Sequence, residues 1–329
     1  MHIPYEVLSA PVEIATGLAG AAGFGLGLRR LDRGPRPASP AMMGMMAAFV
    51  FAAQMVNFPL GPLPISGHLL GGVLAAVVLG PWAGAIVVGA VLIVQCFLFG
   101  DGALTALGAN FVNMGLVGGV GGYAIYAPIR RAIGDRGGIL IGAMVAAWFS
   151  VILSSLAFGV ELALSGRAGN VPVVIGYIVL VHAAIGLGEA LITGAVLRLV
   201  LLARPDLLDD SAELERTRGR GIVEAAVAGL AIALAVAAFA APFASEHPDG
   251  LEKVGGWFGF VPEEGAEPPL PSPLAEYQLP GLGDWPRAAT ASAGVIGTLV
   301  VFGVGLLLAR SVTRGERPGE PQHEAPAIG

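Results

Sequence analysis

Nine apolar runs, separated by short polar or glycine- and proline-rich breaks, leave this chain of 329 residues few ways to fold. A bilayer core about 30 Å thick takes about 20 helical residues to cross. Within it every backbone N–H and C=O must be paired inside the chain, so long apolar runs become helices. The runs extend from Pro11 to Leu28, Ala41 to Val56, His68 to Leu79, Trp82 to Phe99, Asn110 to Pro128, Gly138 to Leu164, Pro172 to Ala203, Ile222 to Pro242 and Ala288 to Ala309. With 55% hydrophobic and only 13% charged residues, an all-α polytopic membrane protein is expected. The 50 glycines suit helices that approach closely through small residues. The single cysteine, Cys96, lies inside an apolar run, which excludes a disulfide framework and a thiolate cluster.

Basic residues set the orientation. Arg29, Arg30, Arg33 and Arg36 follow the first run, Arg130, Arg131 and Arg136 the fifth. Arg198, Arg204, Arg216, Arg218 and Arg220 surround the end of the seventh, and Arg310, Arg314 and Arg317 follow the ninth. Only Arg167, Lys253 and Arg287 fall on the other side, a split of 15 to 3. The positive-inside rule makes the large group cytoplasmic and leaves the amino terminus outside. The modest net charge of -6 and this segregation speak for topology and against nucleic acid as a partner. The first nine residues lack a basic stretch and contain Glu6, so no signal peptide is expected and the terminus is retained.

The third run is too short to cross alone. From His68 to the Gly80-Pro81 break it has about 12 residues, or about 18 Å of helix. The preceding stretch, Asn57 to Gly67, is too rich in proline and glycine to be helical, so it is expected to dip into the membrane. Irregular backbone at that depth survives only when buried in protein or lining a cavity. His68 is then expected on the first turn of a short helix, on the outer side. A second irregular element, Gly100 to Ala109, faces the same way and leads into Asn110 and Asn113. Gln54, Asn57, Asn110, Asn113, His182 and Glu189 either join helices or line a site. His182 and Glu189, seven apart on one helix face, are expected to pair or to orient a ligating side chain.

The amino terminus Met1-His2 is a chelate in small compass. The Met1 amine, the His2 backbone nitrogen and the His2 imidazole close a five- and a six-membered ring on one ion, with one planar corner open. Such a nitrogen field suits Ni(II) and related divalent metals. Chemistry for other functions is absent. The only lysine is Lys253, so there is no Walker A loop. The glycine-rich Gly115 to Gly122 lies inside an apolar run, where small residues serve packing, and Glu161 with Glu189 makes no convincing hydrolytic pair. The chain is not expected to be an enzyme or its own ATPase, and no resident cofactor is expected.

Several stretches, in order over about the first 200 residues, resemble a known family. They are Met-His-Ile-Pro at 1–4, Ala-Ala-Phe-Val-Phe-Ala-Ala-Gln-Met-Val-Asn-Phe-Pro at 47–59, Ser-Gly-His-Leu-Leu-Gly-Gly at 66–72, Leu-Gly-Pro-Trp-Ala at 79–83, Leu-Phe-Gly-Asp-Gly-Ala-Leu-Thr-Ala-Leu-Gly-Ala-Asn at 98–110, Asn-Met-Gly at 113–115 and His-Ala-Ala-Ile-Gly-Leu-Gly-Glu-Ala-Leu-Ile-Thr at 182–193. The chain resembles the substrate-capture (S) components of nickel/cobalt energy-coupling-factor (ECF) importers of the NikM/CbiM type. The resemblance implies an S-component bundle of about seven helices over residues 1–203, with the amino terminus entering from outside. It implies that the Met1 amine, the His2 amide and imidazole, and the His68 imidazole hold Ni(II) or Co(II) in a plane. Asn57, Ser66, Asn110, His182 and Glu189 are expected to line or support that site.

Residues 204–221 are charged and read as a cytoplasmic linker. The Pro-Asp-Gly-Leu-Glu stretch at 248–252 makes 222–309 resemble the small NikN/CbiN partner, fused here as two helices around an outside loop at 243–287. That loop holds eight acids against two bases, as a cation-attracting surface or a solvated loop. The tail at 310–329 is expected to be disordered and cytoplasmic. The resemblance implies a separate transmembrane coupling (T) subunit and a cytoplasmic ATPase, and residence in the cytoplasmic membrane. An ion-coupled secondary carrier, with His182 and Glu189 as a proton relay, is the alternative. The sequence departs from the family at Tyr5-Glu6, where Asp-Gly is common, and at Pro64-Ile65, where Gly-Thr is usual. Neither change removes an expected ligand.

Overall fold

The computed structural model of the protein describes residues 2–31, 39–208, 221–261 and 271–313. Among them the chain is almost wholly helical. Seven helices come first: α1 (Ala10–Arg30), α2 (Pro40–Gln54), α3 (Gly72–Leu79), α4 (Pro81–Phe99), α5, α6 (Asp135–Leu164) and α7 (Val171–Ala203). Helix α5 is continuous through Leu107–Asn110, the π-helical Phe111–Gly121 and Gly122–Ile133. Then follow α8 (Ile222–Phe243), the short α9 (Gly250–Phe258) and α10 (Pro286–Thr313). Helices α1, α4, α6, α7, α8 and α10 are long and apolar enough to cross a membrane, which makes this a multi-pass membrane protein.

The expected helices are present, with two corrections. The third begins at Gly72 and not at His68. Gly71 lies in the left-handed region at φ 76°, which cannot extend a helix backwards, so His68 sits in non-helical backbone ahead of the first turn. Ser66–Gly67 (β2) instead pairs antiparallel with Phe58–Pro59 (β1), and Leu60 N–H closes the turn on the Ile65 carbonyl at 2.9 Å. The half of this stretch that carries His68 is buried in protein, with Ile65, Ser66, Leu69 and Leu70 having almost no exposure, whereas the turn at residues 61–64 is exposed. The second correction is α9, inside a segment that composition alone marks as loop. Asp249 accepts the N–H groups of Leu251 and Glu252, and the Glu252 carboxylate accepts the Asp249 N–H, a complete capping box. Leu251 and Val254 then fall on one face, and both are fully buried.

Helix α4 is the centre of the bundle: 78% of its spanning window is buried, against 11% for α1. It turns back on α3 through Gly80, at φ 92°, and the two run so close that a Cβ on Gly84 would lie 2.5 Å from the Ala76 nitrogen. Helix α2 carries the join to the last two long helices. A Cβ on Gly44 would lie 2.8 Å from the Phe302 carbonyl of α10, and the Met45 side chain fills the space over Gly229 of α8. The bundle thus has two ends. Arg30, stacked on Trp82, and Arg204, paired with Asp206 at 2.8 Å, lie at one; residues 2–9, 57–71, 100–106 and 245–261 gather at the other. Helix α10 runs four residues past its expected end at Ala309. The remaining linker and tail positions, 209–220 and 314–329, lie outside the described residues, as do Arg33 and Arg36.

Gly84→Val places a branched side chain against the Ala76 backbone. We expect it to lower the stability of the detergent-purified protein by about 1–3 kcal/mol, seen as a reduced melting temperature, whereas Gly25→Ala, with nothing within 4 Å of its new Cβ, should leave melting unchanged.

Candidate metal centre

The amino-terminal segment enters the bundle in non-helical backbone held at Ile3. The Ile3 N–H donates to Asn110 Oδ1 at 2.9 Å, and the Ile3 carbonyl accepts from Ala103 N–H at 2.8 Å. Ile3, Val7 and Leu8 are buried among Ile65, Val181 and Leu251, each worth about 1.5–3 kcal/mol of apolar burial. Glu6, standing where glycine is common in the resembling family, has φ 66°, the left-handed region that favours glycine. Arg167 Nη1 donates to the Glu6 carbonyl at 2.8 Å and braces that turn. At the other departure, the Tyr5 hydroxyl accepts the Leu104 N–H at 3.1 Å.

This anchoring stacks His2 on His68, with ring centroids 5.2 Å apart and planes 15° from parallel. His2 Nδ1 lies 3.2 Å from Asp101 Oδ1, and Nε2 lies 3.1 Å from Gln95 Oε1. Burial pushes the His2 imidazole down to about 4, against the pull of Asp101, so the ring is neutral at pH 7. His68 Nδ1 lies 3.0 Å from the Leu69 carbonyl, which only accepts. Its Nε2 lies 3.6 Å from Asp249 Oδ2, so the ring is held between a carbonyl and a carboxylate, both acceptors. Two imidazoles backed by two carboxylates favour a cation between them.

A carboxylate holds the backbone that carries His68. Glu189 on α7 accepts the Leu70 N–H at 2.6 Å on one oxygen and the Gly71 N–H at 2.9 Å on the other. Gln54 Nε2 donates to the Leu70 carbonyl at 2.9 Å. The Leu70 N–H and carbonyl and the Gly71 N–H, just beyond His68, are thereby paired inside the bundle. The segment before α9 covers the same break: Ser66 Oγ donates to the His247 carbonyl, Ser66 N–H to the Pro248 carbonyl, and Ser245 N–H to the Asn57 carbonyl. Gly250 allows this approach, because a Cβ there would meet Ile185 and Val181 of α7 at 2.7 and 2.9 Å.

The residues expected from the sequence are therefore gathered with different duties. His2 and His68 meet in the cradle, and both line a cavity of ≈ 1680 Å³. Met1 lies outside the described residues. Asn57 borders that cavity and gives its carbonyl to Ser245, Ser66 ties down the covering segment, and Asn110 grips Ile3. His182 and Glu189 do not pair: His182 Nδ1 faces the Ile178 carbonyl of its own helix at 2.8 Å, while Glu189 orients the His68 loop. His182 borders a void of ≈ 10 Å³ shared with His68 and Asp249. Asn113 turns away to Glu161, 2.8 Å distant. Asp101, Gln95 and Asp249 contact the histidines but were not singled out by sequence. For Gln95 a signal existed, an amide within an apolar run; Asp101 and Asp249 sit in loops where acids are commonplace.

A bundle of membrane helices with a buried, cation-favouring histidine cradle defines a multi-pass membrane protein of the metal-transport class. Residues 2–207 match the CbiM family, described as the cobalt uptake substrate-specific transmembrane region, and residues 223–314 match the PDGLE domain. The chain belongs to the CbiM family of nickel and cobalt transport proteins and carries a PDGLE domain behind it. It is 34% identical to a fused nickel transport protein NikMN of Archaeoglobus fulgidus, over 94% of this chain and 98% of that one. To the fused nickel transport protein NikMN of Rhodobacter capsulatus it is 32% identical, over 63% and 64%. A crystal structure of a transition metal transporter superposes with a TM-score of 0.56 at 26% identity, over 67% of this chain and 99% of that one.

Glu189→Gln leaves one of two buried amide N–H groups facing an NH2 group. Loss of a buried acceptor costs about 1–3 kcal/mol, so the metal-free protein should melt lower by an amount of that order, whereas His182→Gln, which removes a contact within one helix, should change melting less.

Proposed function

We propose that the chain captures Ni(II) or Co(II) at the outer face of the cytoplasmic membrane and releases it inward as the substrate-specific subunit of an ATP-driven ECF transporter. The ion is held by four nitrogens: the Met1 amine, the His2 amide and imidazole, and the His68 imidazole. The observation that carries this reading is the stacking of the buried His2 imidazole, on an amino-terminal segment clipped into the bundle, on that of His68, with centroids 5.2 Å apart. The chelate needs His2 to bind through Nδ1, which leaves the ring proton on Nε2, where Gln95 Oε1 accepts it. Among the described residues no three His, Cys, Asp or Glu side chains group around a metal, which suits a site completed by backbone and terminal nitrogens. Residues 1–203 serve as the capture module, 204–221 as a cytoplasmic linker and 222–309 as the fused partner module. The amino terminus is outside, and ATP is hydrolysed by a partner that docks with a transmembrane coupling subunit.

A single residue added before Met1 should abolish Ni(II) binding, because it converts the terminal amine into an amide, while an extension after Gly329 should be silent. His68→Ala should also abolish binding, and His182→Ala should weaken it less. Calorimetric titration of the purified protein decides; full affinity in the amino-terminally extended chain would refute the four-nitrogen site. Uptake into proteoliposomes should require a coreconstituted ATPase partner and ATP, and uptake by this chain alone under a pH gradient would assign it to the secondary carriers instead.

A further inference from the structure

Both nitrogens of His2 face acceptor oxygens, those of Asp101 and Gln95, which are joined to each other through a residue from the carboxyl-terminal part of the chain; the neutral ring's one proton can serve either. His2 Nδ1 faces Asp101 Oδ1 at 3.2 Å. The other oxygen, Asp101 Oδ2, accepts the Tyr277 hydroxyl proton at 2.5 Å. That hydroxyl oxygen in turn accepts from Gln95 Nε2 at 3.2 Å, and Gln95 Oε1 returns to His2 Nε2 at 3.1 Å. Gln95 Nε2 also donates to Gln54 Oε1 at 2.9 Å, so both amide ends of Gln95 are fixed with the oxygen toward His2.

The chain holds Tyr277 in place against local preference. Glu276 and Tyr277 are both left-handed, at φ 55° and 56°, with no glycine to relieve them. Such residues persist where their surroundings over-determine them, and they cluster at functional sites. Here the Tyr277 ring stacks on Phe99 with centroids 4.7 Å apart, and the flanking chain is pinned by Leu274 N–H on the Leu98 carbonyl at 2.8 Å and Gln278 Nε2 on Thr290 Oγ1 at 2.7 Å. Burial and the Asp101 charge raise the phenol well above its usual value, so it keeps its proton and stays a donor.

We propose that Tyr277 is a positioning residue for metal capture: by accepting from Gln95 Nε2 it keeps Gln95 Oε1 on His2 Nε2, ready to take the ring proton when an ion claims Nδ1, and by donating to Asp101 Oδ2 it holds that carboxylate in place. This rests on the four-nitrogen reading above. When a metal takes Nδ1, Asp101 gives up its contact with His2, and the Tyr277 hydroxyl keeps the carboxylate in place beside the ion, where it balances charge without swinging back to compete. Without that hydroxyl the Asp101 carboxylate is a stronger acceptor for a proton on Nδ1, and Gln95 loses one of the partners that orient it.

The test uses the full-length protein in detergent, titrated with Ni(II) chloride against a competing chelator, with melting of the metal-free form recorded in parallel. Tyr277→Phe keeps the ring on Phe99 and removes only the hydroxyl; outer contacts of this kind are worth 10–100-fold in affinity, so we expect a loss of about tenfold or more with unchanged metal-free melting. Asp101→Asn should also weaken binding, and the double variant should lose less than the sum of the two single free energies. Wild-type affinity in Tyr277→Phe, a loss matched by a fall in metal-free melting temperature, or full additivity with Asp101→Asn would each overturn the role of Tyr277. His68→Ala and the amino-terminally extended chain, titrated alongside, report on the four-nitrogen site itself: if they keep wild-type affinity, the site has failed, and if they lose binding while Tyr277→Phe does not, only the tyrosine has.

Discussion

The backbone between α2 and α3 leaves the helical state within the bundle, and everything at the site end answers the need to pair its polar groups. Residues 65–70 are buried, so an unpaired amide there would cost far more than it would at a surface. A two-residue β pairing satisfies part of the break, and Glu189 and Gln54 satisfy the part that carries His68. The same solution fixes function. Because both Glu189 oxygens hold neighbouring amides, the loop has one conformation, and His68 Nε2 has one direction.

The second half of the structure depends on that break as well. Its outward edge would leave Ser66 and Asn57 backbone groups unpaired, and the segment from Ser245 to Asp249 supplies their partners. The chain then turns into α9 through its capping box and buries Leu251 against the same apolar cluster that receives Ile3. Two regions that match separate families are in this way one folded body. The amino-terminal segment and the α9 segment close over the histidines from distant parts of the chain.

The helices were legible because their signal is long and local: runs of apolar residues at membrane length leave no competing structure. The breaks were legible as breaks, since the proline and glycine of residues 57–67 forbid a helix there. Gly71 shows where local reading stops. Its left-handed conformation, set by packing against Val50, decides that α3 begins after His68 and Leu69. The helix α9 was readable from Asp249 and Glu252 three residues apart with Leu251 between, but the acidic and proline-rich composition around it masked the cap. For His182 and Glu189 the sequence left two outcomes open, a pair or the orienting of a ligating side chain, and Glu189 took the second by holding the loop that carries His68. Sharing a helix face made them neighbours in sequence logic, yet each found a nearer partner in space.

What the sequence by itself determined is the solvent, the order of the apolar helices, and the presence of His2 and His68 in irregular backbone, because composition and breaker residues act over a few turns. What only the tertiary structure decided is how those histidines are held. The stacking of His2 on His68, the clip of Ile3 on Asn110, and the link through Asp101, Tyr277 and Gln95 join residues 66, 107 and up to 182 positions apart. Hydrogen bonds of that kind have no period in the sequence; they exist because the bundle brings distant parts of the chain to the same buried place.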